Sequence, residues 1–221
     1  MSRPPRVSAA LLIASVVVGC DPIAPAEVEW DSIERMAERE ALTAFYISTD
    51  GDNWTDKAGW LVRADPCRWF GVTCSGGQVF QILMESNNLT GTIPAELGSL
   101  TALSDLRLNS NNMTGTIPAE LGNLTTLSIL NFSDNSLTGA LPAELGNLAA
   151  LATLLLDSNA LSGFVPLPIA VMGGKIQQVD RGRCGFESNP GLSMPDVQDY
   201  MDADLDNDGF ICGIPLSTPS P

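Results

Sequence analysis

The stretch "NNLTGTIPAELGSL" (residues 87–100) recurs as "NNMTGTIPAELGNL" (111–124), as "NSLTGALPAELGNL" (135–148) and, shortened, as "NALSGFVPLP" (159–168). Asparagines stand at 87, 111, 135 and 159, glycines at 91, 115, 139 and 163, and prolines at 94, 118, 142 and 166; every step is 24 residues. A fixed period in this range marks a solenoid, in which each unit buries its apolar side by stacking on its neighbours. A chance excess of leucine would not hold three other residue types in register four times.

One unit can be read residue by residue. In "LSDLRLNSNNMTG" (103–115), Leu103, Leu106, Leu108 and Met113 are expected to point inward, while Asp105 and Arg107 alternate outward as a short strand requires. Asn111 is then a polar residue facing the interior, which is costly unless it finds partners. Stacked at the repeat interval, such asparagines can satisfy the backbone of adjacent turns. Gly115 permits the sharp bend, and "IPAELGNL" makes the return on the far side.

These residues resemble the leucine-rich repeat family, specifically its plant-type subclass with the pattern LxGxIPxxLGxL, over about residues 31–169. The resemblance implies a short α/β repeat solenoid with parallel strands on a concave face. The four repeats are expected over 78–169, the array stopping there because "LPIAVMGGK" replaces "AELGNL" after Pro166. Residues 30–77 look like the amino-terminal cap of this repeat class. "IERMAEREALTAFYIST" has helical periodicity through Ile33, Met36, Leu42 and Phe45. In "PCRWFGVTC", Cys67 and Cys74 are expected to pair as a small disulfide loop, with Trp69 packed beside the first repeat. A zinc site is the alternative, but two cysteines without histidine or a second cysteine pair do not supply its ligands.

Composition excludes much chemistry. The 221 residues contain 11 basic and 26 acidic side chains, a net charge of −15, and no histidine. So acidic a chain is repelled by phosphate backbones, which excludes nucleic acid as a partner. Without histidine there is no Ser-His-Asp or Cys-His nucleophile, no HExxH zinc site and no imidazole base. Glu96, Glu120 and Glu144 form a spaced row, but they are one repeat position replicated, and a glycosidase pair needs a cleft and one raised pKa. The expectation is a protein without catalytic activity.

The amino terminus reads as an address. Arg3 and Arg6 precede an apolar run from Val7 to Gly19, too short for a spanning helix but suited to a signal-peptide core. Its end, "VVGC", resembles the bacterial lipobox, which implies a signal over 1–19, lipidation of Cys20, a tether over 20–29 and a bacterial cell-envelope lipoprotein held on the membrane by the lipid alone. An ordinary secretory signal cut near "APA" is the alternative. Sequons at Asn53, Asn88, Asn112, Asn123 and Asn131 carry no meaning in a bacterial lipoprotein but would be glycan candidates in a eukaryotic secretory pathway.

The carboxy terminus carries "DADLDNDGFICG" (202–213). Calcium loops take oxygen ligands at positions 1, 3, 5 and 7, with glycine at 6. Setting Gly209 at 6 assigns Asp204, Asp206 and Asp208 as side-chain ligands and the Phe210 carbonyl at 7. The stretch resembles the Excalibur module, an extracellular calcium-binding family with the pattern DxDxDGxxCE, expected here over 183–215 behind a connector (170–182) and before a tail (216–221). That resemblance implies a disulfide from Cys212 to Cys184 and a small EF-hand-like fold with calcium as a structural ion. Gly213 departs from the pattern's glutamate, and Pro215 stands where an EF-hand loop carries its last carboxylate.

The concave face is the usual binding surface of this repeat class. By register it carries Gln81, Leu83 and Glu85; Asp105, Arg107 and Asn109; Ile129, Asn131 and Ser133; and Thr153, Leu155 and Asp157. The expected function is a monomeric binding module for an extracellular or envelope protein, peptide or glycan. An envelope spacer without a ligand, or an enzyme using carboxylates or calcium, are the competing readings.

Overall fold

The computed structural model describes residues 31–170, 186 and 188–193, together with two short strands at 210–211 and 214–215. The chain enters through helix α1 (Asp31–Ser48), whose Ala41, Leu42, Phe45 and Tyr46 are buried. Met36, expected on that face, is instead mostly exposed; Glu38 is buried in its place, and its carboxylate accepts the Val79 N–H at 3.0 Å. That bond ties the helix to the first repeat. Below the helix Trp54, Trp60 and Trp69 pack with Phe45 and Tyr46, the Trp54 and Trp60 rings meeting edge to face at 4.8 Å. Each buried indole N–H finds a carbonyl: Thr49, Phe70 and Arg63 respectively. A buried aromatic of this kind needs such a partner. Cys67 and Cys74 form the disulfide that staples the cap to strand β1 (Val72–Ser75).

Strand β1 runs antiparallel to β2 (Gln78–Leu83), the first strand of the array. From there β4 (Asp105–Arg107), β6 (Ile129–Asn131) and β8 (Thr153–Leu155) add in parallel, completing a five-stranded sheet. Partners are 24 residues apart: Gln81, Asp105, Ile129 and Thr153 in one row, Leu83, Arg107, Asn131 and Leu155 in the next. A second wall is built from the "TG" stretches. There β3 (Thr90–Thr92) pairs with β5 (Asn112–Thr114), and β7 (Thr138–Gly139) pairs with β9 (Ala160–Phe164). The third wall consists of 3-10 turns at Ala95–Ser99, Ala119–Asn123 and Ala143–Asn147, followed at the same step by the short helix α2 (Leu167–Ala170).

Leucines fill the space between the walls: Leu97, Leu103, Leu106, Leu121, Leu127, Leu130 and Leu145 are among those with no exposed surface. The glycine of each "AELG" turn sets how closely the turns stack. A Cβ on Gly122 would lie 2.3 Å from the Glu144 carbonyl oxygen of the next turn, and one on Gly98 equally near that of Glu120. Gly115 has φ +77°, the left-handed bend its place in the repeat requires.

The inward asparagines form a ladder. Asn111 Oδ1 accepts the N–H groups of Asn87 and Leu89, and its Nδ2 donates to the carbonyls of Met84 and Leu108. Asn135 serves Met113 N–H and the Leu108 and Phe132 carbonyls, and Asn159 serves Leu137 N–H and the Phe132 and Leu156 carbonyls. Asn87 plays the same part toward the cap, accepting from Asp56 N–H and donating to the Asp56 carbonyl. These bonds are how the interior tolerates a polar residue once per turn.

The array does not stop at residue 169. Asn189 Oδ1 accepts Leu161 N–H, and its Nδ2 donates to the carbonyls of Leu156 and Phe186. Strand β10 (Gly191–Ser193) pairs in parallel with β9, and Phe186 and Leu192 pack against the core. Residues 186–193, expected inside the carboxy-terminal module, therefore continue the solenoid. Beyond them, β11 (Phe210–Ile211) pairs antiparallel with β12 (Ile214–Pro215).

Candidate functional site

The solvent face of the five-stranded sheet brings the three expected rows together. Gln81, Leu83, Ile129, Asn131, Leu155 and Asp157 are half-buried, and Glu85 is exposed. Three side chains read as outward point that way but are buried: Asp105 is 6% exposed, Ser133 7% and Thr153 8%. The reason at Asp105 is its neighbour. Arg107 donates to both carboxylate oxygens, Nε to Oδ1 at 2.9 Å and a terminal nitrogen to Oδ2 at 3.0 Å, and so covers it. This bidentate pair raises the Arg107 pKa above the usual guanidinium range; partial burial opposes the rise, and the charges of Asp105 and Glu85 add to it. Ser133 is held down by its own bond, Oγ donating to Asp157 Oδ1 at 2.7 Å.

One polar atom on this face is not satisfied within the protein. Asn109 Oδ1 is buried and has no hydrogen-bond partner. Its row runs Glu85, Asn109, Ser133, Asp157, one residue from each repeat. Among the described residues no three His, Cys, Asp or Glu side chains are grouped to hold a metal ion, and no helix is long and apolar enough to cross a membrane.

The remaining expected sites fall elsewhere. The Cys67–Cys74 disulfide is formed. Cys20, Cys184, Cys212, Asp204, Asp206 and Asp208 lie outside the described residues, and of the calcium loop only Phe210 is described, as backbone of β11. What sequence reasoning missed is the fifth turn. Its signal was available: "FESNPGLS" (186–193) follows the pattern of "LDSNALSG" (156–163), but Asn189 stands 30 residues after Asn159 rather than 24.

Residues 36–75 match the family described as Leucine rich repeat N-terminal domain, and residues 102–124 and 126–148 match Leucine Rich Repeat. Over 72 residues the chain is 36% identical to Pollen receptor-like kinase 1 of Arabidopsis thaliana, covering 32% of this chain and 11% of that protein. It is 41% identical over 70 residues to Receptor-like protein kinase BRI1-like 3 of the same plant, covering 30% of this chain and 6% of that one. The chain thus spans about a tenth or less of these curated relatives. Among solved structures, the PEPR1–AtPEP1 complex superposes with a TM-score of 0.56 at 31% identity, over 60% of this chain and 19% of that one. The ectodomain of the Arabidopsis thaliana receptor kinase SOBIR1 superposes over 72% of this chain and 96% of its own, with a TM-score of 0.53; at 22% identity it attests the fold alone.

The described residues are a plant-type leucine-rich repeat domain with its amino-terminal cap, related to the ectodomains of plant receptors. The protein is an extracellular leucine-rich repeat protein that resembles plant receptor ectodomains. The expectation of a bacterial envelope lipoprotein is corrected by these relatives, which are plant receptor proteins. The short "VVGC" pattern that suggested it lies outside the described residues and is far less specific than the matches across the cap and repeats. Asn53, Asn88, Asn112 and Asn123 are exposed, whereas Asn131 lies on the concave sheet and uses its Oδ1 to accept Ser133 N–H.

Proposed function

We propose that the chain binds an extracellular peptide or protein across the solvent face of its five-stranded sheet and performs no catalysis. The observation that carries this reading is the face itself. It places half-buried Leu83, Ile129 and Leu155 beside polar groups that are fixed by their own hydrogen bonds, so little side-chain entropy is lost on contact. The similarity to the PEPR1–AtPEP1 structure supports the same use here. The test is site-specific photo-crosslinking. A crosslinker at Asn131 should capture the ligand isolated from extracellular extracts, and one at Glu120, on the 3-10 wall, should not; capture from Glu120 alone would refute the assignment.

The same proposal extends to calcium as a structural ion held by Asp204, Asp206, Asp208 and the Phe210 carbonyl. What supports it is the acidic register with glycine at the turn position. Extracellular loops of this type bind at roughly 10⁻⁴–10⁻³ M, so melting temperature should rise in millimolar calcium and fall with a chelator. An unchanged melt removes calcium from the proposal and leaves the binding face untouched.

A further inference from the structure

We infer that the ligand of the concave sheet is an extended cationic peptide segment, with basic side chains about four residues apart. The inference rests on the concave-face reading and adds a charge class to it.

Four ionised side chains stand on this face: Glu85, Asp105, Arg107 and Asp157. The one cation is already spoken for, since both carboxylate oxygens of Asp105 accept from Arg107. Asp105 takes two of the Arg107 N–H groups and offsets its charge, so it offers an acidic ligand only a weakened cation. Glu85 and Asp157 remain, one at each end of the same row. Between them lies Asn109 with a buried acceptor oxygen that no protein donor reaches. The row therefore carries a carboxylate at each end and few donors: Ser133, the one hydroxyl in it, already donates to Asp157, which leaves the Asn109 amide.

Spacing sets the form of the ligand. Three strand intervals of about 4.8 Å separate Glu85 from Asp157, about 14 Å in all. An extended chain rises about 3.3 Å per residue, so lysine or arginine side chains four apart reach both carboxylates at once. The adjacent row supplies Leu83 and Leu155 for aliphatic contact. A long-range field favours the same partner: the chain carries net charge −15, which speeds the approach of a cation and slows that of an anion.

The experiment uses the full chain and a fluorescein-labelled synthetic peptide of valine and glycine with lysine at about every fourth position. Two further probes carry glutamate or glutamine in place of lysine. The lysine probe should bind, its affinity falling as salt rises; the glutamate probe should not bind. The double variant Glu85→Gln/Asp157→Asn should weaken the lysine probe about tenfold. Glu96→Gln/Glu120→Gln makes the same change of net charge on the 3-10 wall and should leave affinity within about twofold. All four substitutions are conservative changes at exposed or half-buried positions, and a matching melt establishes that each variant is folded. Equal loss in both double variants, preferred binding of the glutamate probe, or no binding of the lysine probe would each overturn the inference. If a natural ligand crosslinks from Asn131 while the lysine probe fails, the charge class falls and the concave-face reading stands. A lysine probe that binds but crosslinks only from Glu120 overturns both.

Discussion

Replacing Asn111 by alanine should destabilise the domain far more than replacing Asn112, its neighbour in sequence. Asn111 is 8% exposed and holds four backbone groups of two turns. In the variant, Leu108 O keeps a second donor, Asn135 Nδ2 at 3.0 Å. Asn87 N–H, Leu89 N–H and Met84 O lose the bonds that Asn111 gives them. A buried backbone group left unpaired costs about 1–3 kcal/mol; taking the lower part of that range, because a water can enter the vacated space, the sum is about 4 kcal/mol. For a domain of this size each kcal/mol moves the melting temperature by about 2–4 °C, so the variant should melt about 8–16 °C lower. Asn112 is exposed and makes only a 3.4 Å side-chain contact, to Asn88, so Asn112→Ala should stay within about 0.5 kcal/mol. Calorimetry on both variants supplies the comparison, and hydrogen exchange at Leu89 localises the loss. If the two variants melt together, the ladder is not what holds successive turns, and apolar stacking alone must be credited.

Other perturbations test the remaining supports. Gly122→Ala drives a Cβ to 2.3 Å from the Glu144 carbonyl oxygen, so the turns must separate; a loss of about 2–3 kcal/mol is expected in urea unfolding. Gly76→Ala, where a Cβ would meet nothing within 4 Å, should cost only the strain of its φ of +60°, about 1–2 kcal/mol. Reducing Cys67–Cys74, which closes a loop of sequence separation 7, should lower stability by about 2.5 kcal/mol in the chain-entropy estimate. The Tyr46 phenol is raised to about pH 12, first by burial and then by its 2.8 Å bond to Asp52. Its folded pKa lies above the ordinary 10.0, so the stability due to the neutral phenol is complete below pH 10 and lost between 10 and 12. Ultraviolet titration should show this phenol ionising only with unfolding, and Tyr46→Phe should abolish that component.

Periodicity made the central repeats legible because one position is subject to one constraint in every turn. Asparagine, glycine and proline recur because a buried ladder, a left-handed bend and a turn entry recur. The same logic faltered where the constraint survived but the spacing did not. Asn189 does the work of Asn159 from six residues further along than the period allows, and its hydrogen bonds identify it despite the broken spacing. Alternation gave the direction of Asp105 but not its burial, which depends on Arg107 two residues away folding back over it. The helical period likewise gave α1 but misjudged Met36, because Glu38 is drawn inward by the Val79 N–H. Origin is not legible in the four-residue "VVGC" pattern, which carries far less information than the motif repeated along the array.

The asparagine ladder also gives the solenoid a direction of dependence along the chain. Each asparagine completes the turn before its own, so every unit depends on its successor and none can close itself. The cap opens this chain of dependence by presenting Asp56 to Asn87, and Asn189 carries it past the fourth turn. Duplicating an interior 24-residue unit would lengthen the array without disturbing either terminus. Cutting the chain after residue 169, where the visible motif fades, would strand Leu161 N–H, so the damage would appear inside the last repeat retained. The cap therefore sets where the array begins, while each later turn must be closed by the one that follows it.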